Sequence, residues 1–131
     1  NSFSGGTEVT AMHRNTVKTL QSVGFEFTIL DFSHSNPVYD ISFGSTITSI
    51  KCFSKLYNDA ENKQPFIAIT TCSSADENCP YITEAVHRLH VPYVDPKIAD
   101  NTPKMETKYL ATSKEIAAEM FFIFQQVKSI L

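Results

Sequence analysis

Two cysteines, seven residues apart, are the side chains in this sequence best placed to do chemistry together. Cys72 follows a short, mostly apolar run from Pro65 to Thr71, and Cys79 stands directly before Pro80. Such a run is typical of a strand that is covered on both faces. In a parallel α/β sheet, ligands bind at the carboxyl ends of the strands. The sequence therefore predicts that Cys72 lies at a functional sheet edge, where a thiolate can take part in disulfide exchange.

The segment between the two cysteines decides whether their sulfurs can meet. If residues 73–79 formed a helix, seven steps of about 1.5 Å would hold the two Cα atoms about 10 Å apart. A disulfide tolerates no more than about 7 Å between them. Four intervening residues are weak helix formers that compete for backbone hydrogen bonds: Ser73, Ser74, Asp76 and Asn78. The pattern indicates a segment able to switch between a helical turn and a loop that joins the sulfurs.

Two other interpretations of the cysteine pair stay open on the sequence alone. Each thiol can be a small buried hydrophobic group without a partner, as free cysteines commonly are. A zinc site is the second alternative, with the ligands Cys72, Cys79, His87 and His90. Its six-residue gap between cysteines lies outside the usual gap of about two to four residues. The third cysteine, Cys52, is predicted to be a packed or incidental thiol.

The surrounding pattern predicts the elements that must position this pair. Asn15 is a suitable N-cap and Gly24 a suitable stop for an early helix. The alternating segment from Val38 to Phe53, broken near its middle by Gly-Ser, predicts a β-hairpin. A capping box from Thr112 to Glu115 predicts the start of an apolar-faced C-terminal helix. Residues 1–8 are predicted to form a strand that runs into a Gly-rich turn. Strands alternating with helices predict an α/β fold with a mainly parallel sheet and one antiparallel hairpin.

Composition narrows the class of protein. The chain has 131 residues, of which 42% are hydrophobic and 19% charged, which fits one globular domain with a core. The segment Phe121 to Phe124 is predicted to belong to that core. The net charge of -3 argues against nucleic-acid binding, which needs a basic face. No apolar run approaches the length of a membrane span, and no signal peptide opens the chain. We therefore expect a soluble, cytoplasmic protein that binds neither nucleic acid nor membranes.

The string from Thr71 to Pro80, Thr-Cys-Ser-Ser-Ala-Asp-Glu-Asn-Cys-Pro, closely resembles the redox segment of thioredoxin-coupled arsenate reductases. These enzymes belong to the low-molecular-weight protein tyrosine phosphatase family. The likeness extends to Ser4–Glu8, Asn15–Gly24 and Tyr93–Pro96. It omits an insertion that contains the hairpin and spans about residues 38–62. The resemblance implies a single domain over residues 1–131 with the phosphatase-I-like three-layer fold.

The resemblance also implies roles for individual residues. Cys72 would attack the arsenylated nucleophile of the complete protein and release arsenite. Cys79 would resolve the disulfide so formed, leaving a Cys72–Cys79 disulfide for thioredoxin to reduce. Asp95, which precedes Pro96, would match the general acid of phosphatase chemistry, and it is also a common type of turn residue. No metal or bound cofactor is implied, and the substrate of the complete protein would be an oxyanion.

The sequence lacks the C-x5-R loop with which the family's reaction begins. That loop needs an arginine six residues after its cysteine, to cradle the oxyanion with backbone N–H groups. The residues six positions after Cys52, Cys72 and Cys79 are asparagine, asparagine and alanine, and the only arginines are Arg14 and Arg88. By resemblance, the chain alone is inactive and the domain incomplete.

The missing loop implies a missing strand as well. In the family fold, the strand that feeds the loop lies between the first strand of this chain and the strand at Phe66–Thr71. With neighbouring strands about 4.8 Å apart, its absence would leave a gap of about 10 Å. We expect pairing with an upstream segment or with a second copy through strand exchange, or else a rearranged sheet. Two other functions stay open: a fragment of a low-molecular-weight protein tyrosine phosphatase, and a non-enzymatic redox or interaction module.

Overall fold

A computed structural model describes residues 1–45, 48–71 and 82–130. The elements follow in the order α1 (Arg14–Ser22), β1 (Phe25–Asp31), β2 (Val38–Phe43), β3 (Ile50–Cys52), β4 (Phe66–Thr70), β5 (Ala85–His90), a 3₁₀ turn (Pro96–Ala99) and α2 (Met105–Ile130). The predictions for Cys72 and Cys79 concern residues that lie outside the described ranges.

An antiparallel sheet contains three strands in the order β1-β2-β3. β2 and β3 pair with Tyr39 opposite Cys52, which confirms the predicted hairpin. β1 pairs with β2 along its length, with Phe25 opposite Phe43, and the two rings lie 4.9 Å apart between centroids. Cross-strand aromatic contacts of this kind stabilise a sheet. This sheet is the larger of the two, so the prediction of a mainly parallel sheet is wrong for the described residues.

A separate parallel pair, β4 and β5, supplies the α/β character of the fold. β4 is the apolar run predicted from the sequence, and it pairs with β5 from Ile67 opposite His87 to Thr70 opposite His90. The backbone N–H of Val91 donates to the carbonyl of Thr70 at 2.9 Å and so extends the pairing beyond β5. The fold is thus α/β, with the parallel and antiparallel strands in two distinct sheets.

The helix α1 begins two residues earlier than the sequence predicts, because its N-cap is His13 and not Asn15. His13, with extended backbone, is its N-cap and accepts a hydrogen bond through its imidazole from the N–H of Asn15 at 3.4 Å. Asn15 is inside the first turn and buried. The predicted stop is confirmed, because Gly24 has a φ of +100°, a conformation that glycine adopts without strain.

The helix α2 also begins earlier than predicted, at Met105. Thr112 is therefore inside the helix and buried, and the predicted capping box is wrong. Thr102 sits before the helix instead, where its hydroxyl accepts from the N–H of Lys104 at 3.2 Å and its carbonyl from the N–H of Met105 at 3.2 Å. A threonine there can satisfy backbone donors that the first helical turn leaves unpaired.

The N-terminal segment is not the strand that the sequence predicts. Among its residues only Gly6 makes a β-bridge, parallel to Leu56. The N–H of Gly6 donates to the carbonyl of Lys55, and its carbonyl accepts from the N–H of Tyr57, both at 2.9 Å. A Cβ on Gly5 would lie only 2.6 Å from the Cα of Tyr57. The close contact between these backbones therefore depends on glycine at position 5.

The core among the described residues is thin. Ala68 and Tyr109 are the hydrophobic residues in the most buried class, whereas Phe121, Phe122 and Phe124 of α2 are each more than 60% exposed. The prediction that these phenylalanines are core residues is therefore wrong. The chain exposes 9651 Å², whereas a compact monomer of 14.7 kDa would expose about 6,900 Å². None of the described helices has both the length and the apolar character needed to cross a bilayer.

Candidate functional site

The carboxyl ends of β4 and β5 bring two of the predicted site segments together. The N–H of Tyr93 donates to the carbonyl of Thr71 at 2.9 Å. Cys72 is the next residue in the sequence after Thr71, and Asp95 comes two residues after Tyr93. The hydrogen bond therefore joins the described residue that precedes Cys72 to the loop that carries Asp95.

Asp95 lies on the surface, at the start of the 3₁₀ turn. Its carboxylate accepts a hydrogen bond from the backbone N–H of Lys97 at 2.9 Å, and its backbone carbonyl accepts from the N–H of Ile98 at 3.3 Å. This is the geometry of a capping aspartate before a proline. The exposed carboxylate has further lone pairs that can accept hydrogen bonds from another group. The turn role and the predicted acid role are therefore compatible in space.

A polar cluster that we call the Asp100 cluster anchors the chain just after this turn. The carboxylate of Asp100 accepts from the side-chain amide of Asn15 at 2.9 Å and from the hydroxyl of Tyr109 at 3.0 Å. It also lies 3.4 Å from the Nε2 atom of His13. Asn15 and Tyr109 are both buried. The cluster thus joins the start of α1, the residue after the 3₁₀ turn and the first turns of α2.

The Asp100 cluster was not found by sequence reasoning. Its members are far apart in the chain, and each has an ordinary explanation: His13 and Asn15 begin a helix, and Asp100 lies in a polar loop. Burial, followed by the hydrogen bond to Asp100, raises the pKa of Tyr109 above its ordinary value. The tyrosine hydroxyl therefore stays protonated and acts as a donor to the carboxylate. The effect is to fix one end of the loop that carries Asp95.

Tyr93 holds the other end of that loop against α2. Its hydroxyl donates to the carboxylate of Glu119 at 2.7 Å. Desolvation, with a smaller contribution from the hydrogen bond to Glu119, raises the pKa of Tyr93 to about 12. The segment from Tyr93 to Asp100 is thus fastened to α2 at both ends, with Asp95 between the two attachments.

Cys52 lies in β3 of the antiparallel sheet and is a free thiol. Burial raises the pKa of this thiol, and the nearby Lys55 ammonium lowers it by a smaller amount. A thiol with a raised pKa contains little thiolate near neutral pH, and thiolate is the reactive form. These properties are those of a packed structural thiol.

The two histidines of the alternative zinc site both lie on β5. His87 and His90 are three residues apart in one strand, and side chains three positions apart point to opposite faces of a strand. The Nδ1 atom of His90 lies 3.0 Å from the hydroxyl of Thr70 on β4. Within residues 1–45, 48–71 and 82–130, no three His, Cys, Asp or Glu side chains cluster so as to hold a metal ion. This geometry disfavours a site that uses both histidines.

A cleft of about 540 Å³ separates β4 from the N-terminal segment. All residues from Phe66 to Thr71 line one wall and all residues from Asn1 to Thr7 line the other, with further contributions from Tyr57, Asn62, Ile82 and Phe124. Alternate residues would line the cleft if it faced one side of a strand. Consecutive residues line it here, so the cleft runs along the backbone edge of β4.

Comparison with known proteins identifies no relative of this chain. No protein-family model, no curated protein and no solved structure matches the chain.

Proposed function

We propose that the chain is the redox-relay portion of an arsenate reductase-like protein of the low-molecular-weight tyrosine phosphatase family, with an incomplete phosphatase-I-like fold. The observation that carries the proposal is the hydrogen bond from Tyr93 to Thr71. It joins Thr71, the residue before Cys72, to Tyr93, two residues before Asp95, and this proximity of described residues supports the proposal. The sequence between Thr71 and Pro80 then supplies the second cysteine, Cys79.

The chemistry is disulfide exchange. In the complete protein, the Cys72 thiolate attacks the sulfur of the arsenylated cysteine, and the sulfur–arsenic electron pair leaves with arsenic, which is reduced and released as arsenite. The Cys79 thiolate then attacks the Cys72 sulfur and frees the first cysteine as a thiolate. The dithiol of thioredoxin reduces the resulting Cys72–Cys79 disulfide and becomes oxidised. The chain alone performs only the last exchange, because it contains no C-x5-R loop.

Counting thiols tests the relay. We expect the folded chain to lose two of its three thiols on mild oxidation and to regain them with reduced thioredoxin. The loss of two thiols should persist in Cys52→Ser and vanish in Cys79→Ser and Cys72→Ser. Cys52 provides an internal standard, since its raised pKa makes it slow to react.

Two results would overturn the proposal. If the three single-cysteine variants lost thiols equally, oxidation would be nonspecific and no defined pair would exist. If the disulfide formed but thioredoxin reduced it no faster than it reduces a small-molecule disulfide, the pair would not be a thioredoxin substrate. The redox-relay assignment would then fail.

A further inference from the structure

An open groove on the surface of α2 lies beside the loop that carries Asp95. Its volume is about 390 Å³, and the described residues that line it are Ala118, Glu119, Phe122 and Ile123. The hydroxyl of Tyr93 donates to the Oε2 atom of Glu119 at 2.7 Å, which attaches the groove to the loop. The redox relay proposed above assigns no role to any of the four lining residues.

The carboxylate of Glu119 is oriented and still has an oxygen to offer. Desolvation, with a smaller contribution from Glu119 itself, raises the pKa of Tyr93 to about 12, so the tyrosine keeps its proton near neutral pH and continues to hold the Oε2 atom. Within residues 1–45, 48–71 and 82–130, the Oε1 atom accepts no hydrogen bond and Glu119 forms no ion pair. The free oxygen can therefore accept hydrogen bonds from a ligand.

The sequence of α2 places no basic residue next to Glu119. Side chains three or four positions apart are neighbours on a helix surface. For Glu119 these neighbours are Glu115, Ile116, Phe122 and Ile123. The charge of Glu115 acts on the hydroxyl of Tyr93 in the same direction as the charge of Glu119. The groove therefore has a negative potential that a cation would neutralise.

The ring of Phe122 supplies a second feature that attracts a cation. Phe122 is 63% exposed and is a neighbour of Glu119 on the helix surface. In the described part of the chain, the lysines that lie over an aromatic ring are Lys51 and Lys55, and both lie over Phe53. The face of the Phe122 ring is thus open to a cation from outside the chain, which the ring quadrupole would attract.

The combination of one carboxylate, one ring and two aliphatic side chains favours an organic cation over a metal ion. Calcium and magnesium ions require several oxygen ligands, and no three His, Cys, Asp or Glu side chains lie together among the described residues. An organic ammonium ion needs fewer partners, since it combines a charged N–H donor with an apolar chain. Small-ligand sites usually pair an apolar lining with a few polar groups in the same way.

We propose that the groove formed by Ala118, Glu119, Phe122 and Ile123 is a binding site for an organic ammonium ion. The ammonium group donates to the Oε1 atom of Glu119 and lies against the ring of Phe122, and the alkyl chain contacts Ala118 and Ile123. Such a group belongs either to a free amine or to a lysine side chain of another protein. The site includes no cysteine, so it is independent of the redox relay.

Titration of the intact chain, with its thiols reduced and at constant ionic strength, tests the site. The probe is butylammonium chloride, and the control is 1-butanol, which has the same alkyl chain without the charge. We expect butylammonium to shift the backbone amide NMR signals of residues 118–123 saturably and to bind at least about tenfold more tightly than 1-butanol. A capped Gly-Lys-Gly peptide distinguishes the two sources: tighter binding than butylammonium indicates a protein lysine, and equal or weaker binding indicates a free amine.

Matched variants of α2 locate the site. Glu119→Gln removes the charge but keeps an oxygen for Tyr93, and it is expected to weaken butylammonium binding at least about tenfold. Phe122→Leu removes the ring and should weaken binding about two- to fivefold. Glu106→Gln and Phe121→Leu make the same changes at exposed positions of α2 outside the groove and should leave binding unchanged.

Three results would overturn the proposal. Equal binding of butylammonium and 1-butanol would show that the groove takes up apolar chains without recognising charge. Equal weakening by Glu119→Gln and Glu106→Gln would show a general attraction of cations to a chain whose net charge is -3. Absence of saturable shifts at residues 118–123 would show that the groove binds no ammonium ion. None of these results would affect the thiol counts that test the redox relay.

Discussion

At the scale of single residues, the Asp100 cluster shows how the loop that carries Asp95 is held. A carboxylate that accepts from Tyr109 and Asn15, both buried, replaces the water it would otherwise bind. A hydrogen bond to a charged group contributes more than one between neutral groups. A second tyrosine, Tyr93 in the loop itself, makes the same type of contact to Glu119 at an exposed site. The two tyrosines therefore form a matched pair that differs mainly in burial.

Tyr109→Phe is expected to lower the free energy of unfolding by about 1–2 kcal/mol at pH 7. Tyr93→Phe should lower it by less than about 1 kcal/mol, because an exposed contact competes with water. Urea unfolding of both variants provides the measurement. Equal losses in the two variants would contradict a special role for the buried cluster.

The pH dependence of the Tyr109 contribution follows from its pKa. Burial and Asp100 raise that pKa above the ordinary value of 10.0, so the folded chain holds this proton more tightly than the unfolded chain. Below pH 10 both states carry the proton and the contribution is complete. As the pH rises through the folded pKa, the unfolded state gains by losing its proton, and the contribution declines. The stability difference between wild type and Tyr109→Phe should accordingly shrink above pH 10.

At the scale of elements, the N-terminal segment depends on one close backbone contact. Gly6 bridges to Leu56, and Gly5 packs against the backbone of Tyr57 with no space for a side chain. Asn62 stabilises the segment around Tyr57, since its side-chain amide donates to the carbonyl of Tyr57 at 2.9 Å. The wall of the cleft opposite β4 is thus built on a glycine contact and one buried amide.

Gly5→Ala is expected to detach this wall. The new Cβ would lie 2.6 Å from the Cα of Tyr57, which is closer than real Cβ atoms approach, so the backbone must move. Amide exchange at Gly6 and Tyr57, the two donors of the bridge, should become at least about tenfold faster, because local opening exposes them.

Gly6→Ala provides the control for that experiment. A Cβ at position 6 would meet its nearest neighbour at 3.6 Å, an ordinary contact. The two variants make the same chemical change at adjacent positions. If Gly6→Ala accelerated exchange as much as Gly5→Ala does, the effect would come from the lost flexibility of glycine and not from the contact with Tyr57.

At the scale of the whole molecule, the later half of α2 exposes several phenylalanines. Phe121 and Phe122 are 67% and 63% exposed, whereas Tyr109 in the same helix is 5% exposed. Single exposed apolar residues are common, but a contiguous group marks surface that another molecule can cover. The stability of the folded chain should therefore depend on the first turns of α2 more than on its later half.

The double variant Phe121→Ser/Phe122→Ser tests this division of α2. Serine and phenylalanine have similar helix propensities, so we expect a stability change within about 0.5 kcal/mol and weaker fluorescence of the hydrophobic dye ANS. Tyr109→Ser, the matched change at a buried site, should cost about 3 kcal/mol. Equal destabilisation by the two changes would place the phenylalanines in a core.

The sequence by itself determined the elements whose signals are local. The stop at Gly24 and the hairpin of β2 and β3 were predicted from residues near one another in the chain. So was β4 as a strand, from its apolar run bounded by polar residues. The prediction that both its faces are covered is wrong, because Ile67 is 56% exposed. The type of each element follows from short-range periodicity and turn residues, and these act whatever the rest of the fold does.

The tertiary structure decided what depends on distant partners. Asn15 and Thr112 look like caps in the sequence, but each is inside a helix because capping depends on where the backbone already turns. The Asp100 cluster joins residues 85 and 96 positions apart, which no local pattern predicts. The pairing of β4 also depends on tertiary structure. Hydrophobicity predicts the strand, but only the packed chain determines which edge of β4 pairs with β5 and which edge borders the cleft.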